Sequence, residues 1–127
     1  MKRGLALAAV IGVLFSFWLL RTHNRSRRAQ HERDAVYEEQ LNRFQRNVRL
    51  GMHRTEVKSY LESAKVPYVQ MNSDLAVKIG EYAADEWYCD SWYVYIEFRF
   101  SHLGGQTQPQ LLDSLDSVSI EKIGHCL

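Results

Sequence analysis

The chain has 127 residues, enough for one domain with its own core but not comfortably for two. Its 16 basic and 15 acidic residues give a net charge of +1, which argues against a nucleic-acid-binding protein, since such proteins carry a strong basic excess. The balance hides an asymmetry, because residues 1–28 contain several basic residues and no acidic one.

An apolar run without a charge, GLALAAVIGVLFSFWLL, extends over the 17 residues from Gly4 to Leu20. A bilayer core needs about 20 such residues, with about 17 as the lower limit, and this run is apolar on every face. The small residues that a signal peptidase requires do not follow it. The sequence therefore predicts an uncleaved single-pass anchor in the inner membrane, with the lipid bilayer as a partner. Its predicted anchor residues are Gly4, Leu5, Val10, Leu14, Phe17, Trp18 and Leu20.

Two features disagree about the side of the membrane on which the rest of the chain lies. Residues 1–3 carry two basic side chains, whereas the basic juxtamembrane connector at residues 21–31 carries four arginines. The positive-inside rule then favours a cytoplasmic domain. Two cysteines in a small domain instead favour a disulfide, which requires an oxidising compartment. Basic residues beside a membrane also suit anionic lipid headgroups.

Residues 32–127 are predicted to form a small α+β domain that begins with two helices. The first begins near Glu32 and has an apolar face with residues spaced by four, three and four. Its members are Tyr37, Leu41, Phe44 and Val48. It is expected to end near Gly51, at the position where glycine commonly follows a helix.

The second helix follows directly and is expected to stop at Pro67. Val57, Tyr60, Leu61 and Ala64 share its apolar face. His53 stands where an N-cap belongs, with Glu56 three residues later, which imitates a capping box. A functional His53 is the alternative, but it has no partner at a useful spacing.

After Pro67 the apolar pattern changes to a period of two, which indicates strands. Residues 75–80 and 92–100 alternate in this way, and residues 115–127 form a last strand with Val118 and Ile120 on its core face. The fold class predicted for the whole chain is thus α+β. It has an N-terminal transmembrane helix, then two helices packed on an antiparallel sheet of three or four strands.

The register of the last two strands determines whether the two cysteines lie opposite each other. Setting Val118 opposite Ile96 places apolar residues together, because opposed residues share a face. Ile123 is then out of phase, which requires a β-bulge near residues 121–122. With that bulge, Cys126 lies opposite Cys89. The sequence therefore predicts a Cys89–Cys126 disulfide and favours an exported, periplasmic domain.

The segment LGMHRTEVKSYL at residues 50–61 resembles the helix start G-M-[ST]-x-x-E-V-x-x-x-[LF] of the small outer-membrane-assembly lipoproteins (SmpA/OmlA, BamE-like) and the related β-lactamase-inhibitor-protein-like domains. Gly51, Met52, Glu56, Val57 and Leu61 match. The resemblance covers about residues 36–124 and implies a non-enzymatic, periplasmic, protein-binding domain. The chain departs from that family at His53, in place of a hydroxyl residue, and in having no lipobox cysteine.

No catalytic constellation is apparent, and we expect a protein that is not an enzyme and has no metal, cofactor or small-molecule substrate. The acidic residues Asp85, Glu86 and Asp90 are typical of a solvated turn. The five histidines lack metal-ligand spacing. His125 and Cys126 are adjacent, but neighbouring strand residues point to opposite faces and cannot easily cooperate.

A binding surface is instead predicted beside the aromatic strand, where some side chains are left over from the core. We call this set the aromatic strip; its members are Trp87, Tyr88, Tyr93, Tyr95 and Arg99. Tyrosine, tryptophan and arginine dominate interface energetics, although an amphipathic outer strand face needs no partner. The expected function is binding of another envelope protein, in envelope assembly or maintenance. The alternative is a cytoplasm-facing accessory subunit of a membrane complex.

Overall fold

The computed structural model describes residues 2–71, 73–84, 88–101 and 112–126, with side chains at residue 12 and from residue 14 onward. Within these residues it contains two helices and four strands. They are α1 (Lys2–Asn47), α2 (Arg54–Ser63), β1 (Val69–Met71), β2 (Asp74–Ala83), β3 (Cys89–Ser101) and β4 (Ser114–Cys126). The described strands form one antiparallel sheet in the order β1-β2-β3-β4. The chain divides into two compact units, Met1–Val36 and Tyr37–Leu127.

The predicted transmembrane helix is contradicted by the structure. In the described part of the chain, no helix is long and apolar enough to cross a membrane. The predicted fold class was therefore wrong in including a membrane-spanning helix.

The predicted anchor residues divide between two parts of α1. The side chains of Gly4, Leu5 and Val10 lie outside the described residues. The other four, Leu14, Phe17, Trp18 and Leu20, are exposed.

Helix α1 also continues without a break through the predicted connector at residues 21–31 and past the expected helix start at Glu32. The physical reason is composition, because residues 21–47 contain neither glycine nor proline and are rich in the strong helix formers Arg, Gln and Glu. The predicted connector is thus helical.

The core of the second unit lies between one face of the sheet and the helices α1 and α2. Phe44 of α1 meets Phe98 of β3 edge-on, with ring centroids 5.6 Å apart. The predicted helix faces are confirmed at Phe44, Val48, Val57 and Leu61, which are all buried in this core. Ala64, predicted on the same face of the second helix, is exposed because α2 ends at Ser63. The sheet contributes Leu75, Val77, Ile96, Phe98, Phe100, Leu115 and Val118.

The disulfide is confirmed, but the register predicted for β3 and β4 was wrong. Cys89 is bonded to Cys126. Ile96 pairs with Ile120 rather than Val118, a shift of two residues. The pairing is irregular between Cys89 and Ser91, and again between Arg99 and Phe100, where β4 has the extra residue, rather than near residues 121–122. A shift of two keeps every side chain on its own face, so the apolar pattern alone does not distinguish the two registers.

The turn between α1 and α2 is hydrogen-bonded to the start of β4. The backbone N–H of Gly51 donates to the Leu115 carbonyl at 2.8 Å, and that of Leu115 donates to the Met52 carbonyl at 2.8 Å. The N–H of Arg54 donates to the Asp113 carbonyl at 3.0 Å. These bonds fix the N-terminus of α2 against the sheet.

Tyr37 packs against the backbone of β2 at Gly80. A Cβ atom added at Gly80 would lie 2.5–2.8 Å from atoms of the Tyr37 ring and hydroxyl. Tyr37 is itself buried, so its side chain has little room to move away. Only glycine permits this close approach.

Replacing Gly80 with alanine should therefore destabilise the domain by about 1–3 kcal/mol, the usual cost of overpacking. Urea unfolding measures the change. Gly12→Ala is the control, because a Cβ there meets nothing within 4 Å. Equal stability of G80A and the unmodified protein would show that the Tyr37 contact is not tight.

Candidate protein-binding surface

The side chains of β3 that point away from the helices form a polar and aromatic surface. Burial of Val94, Ile96 and Phe98 on the core side commits the alternate residues to the opposite side. We call this surface the outer face. It carries Tyr93, Tyr95, Glu97 and Arg99 on β3, with Tyr93, Tyr95 and Glu97 half-buried and Arg99 exposed.

The neighbouring strands extend the outer face on both sides. On β2, Lys78 lies opposite Tyr95 and Glu81 lies opposite Tyr93. On β4 the residues opposite Tyr93, Tyr95 and Glu97 are Ile123, Glu121 and Ser119. The two tyrosines are thus surrounded by charges of both signs.

Lys78 is positioned by two neighbours on the outer face. Its Nζ atom lies 4.4 Å from the ring centroid of Tyr93 and 2.7 Å from Oε2 of Glu81. The hydrogen bond to the Glu81 carboxylate raises the pKa of Lys78 above its ordinary value. Both charged side chains are about half exposed, so water screens the ion pair and it adds little to stability. A cation held over an aromatic ring remains available to a partner.

Arg99 is positioned in a similar way at the other end of the outer face. Its Nη2 atom donates to Oε2 of Glu97 at 2.7 Å, and its Nε atom lies 3.9 Å from Oδ2 of Asp74. The hydrogen bond to Glu97 raises the pKa of Arg99. The other carboxylate oxygen of Asp74, Oδ1, accepts the backbone N–H of Phe100 at 3.0 Å, which fixes the carboxylate.

The structure brings together three residues of the predicted aromatic strip. Tyr93, Tyr95 and Arg99 share the outer face. Tyr88 is exposed and precedes β3, and Trp87 lies outside the described residues. Sequence reasoning placed Glu97 on this face but missed Lys78, Glu81 and Asp74 as members of the surface. The alternation of β2 indicated Lys78, but its neighbours depend on a register that shifts between Lys78 and Gly80.

A second surface, a shallow groove, lies between the end of α1 and β4. Its lining residues are Gln45, Val48, Arg49, Leu50, Asp116, Ser117 and Val118. The side-chain amide of Gln45 donates to the Val118 carbonyl at 3.2 Å, which joins the two walls. Leu50 is 68% exposed, whereas the groove's other large apolar residues, Val48 and Val118, are buried.

Arg54 and Asp113 form a buried ion pair near the start of α2. Nη2 of Arg54 lies 3.6 Å from Oδ2 of Asp113, and both side chains are at most 2% exposed. The guanidinium stacks on the Phe100 ring at 4.2 Å and donates to the Ser73 carbonyl. Among the described residues, Nε and Nη1 of Arg54 have no hydrogen-bond partner. This burial makes the pair a structural link between α2, β3 and β4 rather than a site for a ligand.

The residues that match the lipoprotein helix motif have structural roles. Oε2 of Glu56 accepts the backbone N–H of His53 at 2.6 Å, so Glu56 supplies its half of the capping box. Nδ1 of His53 lies 3.0 Å from the Leu112 carbonyl, and because a carbonyl only accepts, Nδ1 must carry the proton. Val57 and Leu61 are fully buried.

Only some of the groups considered as catalytic candidates lie in the described part of the chain. Asp85, Glu86 and His102 lie outside it. Nδ1 of His125 lies 3.5 Å from Oδ2 of Asp90, and both side chains are largely exposed. Cys126 is bonded to Cys89, so its sulfur is not a free nucleophile beside His125. In the described ranges, no three His, Cys, Asp or Glu side chains are grouped as metal ligands would be.

Comparison with protein-family models, curated proteins and solved structures finds no match to this chain. The resemblance to the small envelope lipoproteins therefore remains an expectation from residues 50–61.

The buried ion pair yields a direct test. Replacing Asp113 with alanine should destabilise the domain by about 3–5 kcal/mol, because the buried charge of Arg54 loses its counterion. The double variant R54M/D113A should recover much of that loss, since it removes both charges. Urea unfolding of the single and double variants measures both effects.

Asp116→Ala is the matched control for D113A, because Asp116 is an exposed carboxylate three residues further along the chain. It should change stability by less than about 0.5 kcal/mol. Equal stabilities of D113A and D116A would contradict a structural role for the pair.

Proposed function

We propose that the second unit is a non-enzymatic protein-binding domain, and that its partner docks on the outer face of the sheet. The observation that carries the proposal is the unequal use of the two sheet faces. One face is buried under α2 and the last turns of α1. Among the described residues of 37–126, neither α2 nor the last turns of α1 pack against the other face of the sheet, where Tyr93 and Tyr95 lie.

The chemistry of the outer face supports protein as the ligand. Tyrosine and arginine provide large contact areas with few rotatable bonds and are enriched where binding energy is concentrated. Lys78 and Arg99 are each held by a carboxylate, so their side chains are partly ordered before binding. An ordered surface loses less conformational entropy when a partner binds.

The disulfide supports an exported domain over the cytoplasm-facing alternative. Cys89–Cys126 joins the ends of β3 and β4. Stable disulfides form and persist in oxidising compartments and are rare in the cytoplasm. We therefore propose a periplasmic location, with another envelope protein as the partner.

Site-specific photocrosslinking tests the docking surface. A photoreactive phenylalanine derivative replaces Ser119, which lies on the outer face opposite Glu97. Crosslinking in cells should give one discrete adduct. Adding Tyr93→Thr and Tyr95→Thr should reduce its yield at least tenfold, because interface tyrosines often contribute about 1–2 kcal/mol or more each. Threonine is chosen because it keeps strand propensity.

Leu50→Ser is the matched control, since Leu50 lies in the groove between α1 and β4. This variant should crosslink normally, and circular dichroism should show that every variant is folded. An unchanged adduct in the Y93T/Y95T variant, or loss of the adduct in L50S alone, would refute docking on the outer face.

A further inference from the structure

The first unit has an apolar surface that its own polar groups do not interrupt. Large apolar side chains on the described part of α1 are 47–63% exposed. They are Leu14, Phe15, Phe17, Trp18, Leu19 and Leu20. The hydroxyl of Ser16 donates to the Gly12 carbonyl at 2.8 Å, and that of Thr22 donates to the Leu19 carbonyl at 2.9 Å. Both hydroxyls are thus satisfied by the helix backbone, which leaves an apolar exterior.

A basic surface follows on the same helix. Arg21, Arg25 and Arg28 are spaced by four and three residues, so they point in directions within about 60° of each other at 100° per residue. They line one shallow surface together with Phe17, Leu20 and Asn24. We call Arg21, Arg25 and Arg28 the arginine stripe. The helix therefore passes from apolar to cationic along one side within about two turns.

An apolar surface followed by a cationic one is complementary to a phospholipid, whose acyl chains adjoin an anionic headgroup. A guanidinium group binds phosphate oxygens through two parallel hydrogen bonds, and its charge attracts anionic headgroups. The acyl chains next to a headgroup offer contact to Phe17 and Leu20. A nucleic acid would also bind arginines, but it has no apolar region to cover the neighbouring turns. The absence of acidic residues from residues 1–28 leaves the cationic charge uncompensated within that segment.

We propose that the arginine stripe binds the phosphate groups of anionic phospholipids at a membrane surface, with Phe17 and Leu20 in contact with the adjoining acyl chains. The inference concerns the first unit alone and is independent of protein binding by the outer face. It assigns the stripe a preference for anionic over zwitterionic lipid.

Vesicle flotation with the full chain tests this preference. The unmodified protein is mixed with vesicles of phosphatidylcholine alone or with about one third phosphatidylglycerol. Binding should be tighter to the anionic vesicles and should weaken as salt is added. The variant R21Q/R25Q/R28Q should lose about fivefold in affinity for each arginine, on the order of 100-fold in total, for the anionic vesicles only.

The matched control is R43Q/R46Q/R49Q, which removes the same charge from exposed positions beyond the first unit. It should keep the preference for anionic vesicles. Equal binding of the unmodified protein to both kinds of vesicle would overturn the proposal. So would an equal loss in the two triple variants, because net charge rather than the stripe would then explain it.

Discussion

Burial of one face of β3 against α1 and α2 determines most of the architecture of the second unit. Ile96 and Phe98 are fully buried, and Phe98 meets Phe44 edge-on. Because strand side chains alternate, this packing also commits Tyr93 and Tyr95 to the other side of the sheet. The proposed binding surface is thus a direct consequence of the core. Substitutions that disturb the register of β3 would rearrange both faces together.

The disulfide acts at the end of the same strand. A bond between residues 37 positions apart restricts the unfolded chain and is worth about 4 kcal/mol in the chain-entropy model. That is a large fraction of the stability of a domain this small. Trp92 covers Gly124 beside it, since a Cβ at Gly124 would lie 3.1 Å from the indole and 3.0 Å from Sγ of Cys126. The part of the stability that the disulfide supplies therefore depends on the redox environment.

For this chain the sequence predicts which face of a helix or strand is buried, but it does not predict the register in which two strands pair. Alternation in WYVYIEFRF identified both faces of β3, and the helix faces at Phe44 and Leu61 followed from spacing. The register was missed by two residues because Ile96 satisfies the face rule opposite either Val118 or Ile120. Asp74 and Glu81 were missed because their neighbours depend on the pairing of β2 with β3. The transmembrane prediction rested on the length and apolarity of residues 4–20 and was contradicted, since no helix among the described residues is long and apolar enough to span a membrane.

The redox state of Cys89 and Cys126 in native cells decides whether this domain works in an oxidising compartment. Cells are quenched rapidly in acid, free thiols are alkylated, and the intact protein is weighed before and after reduction. An exported domain should take up no alkylating groups before reduction and two after it. Two groups added without reduction would place both thiols in a reducing compartment and contradict a periplasmic function.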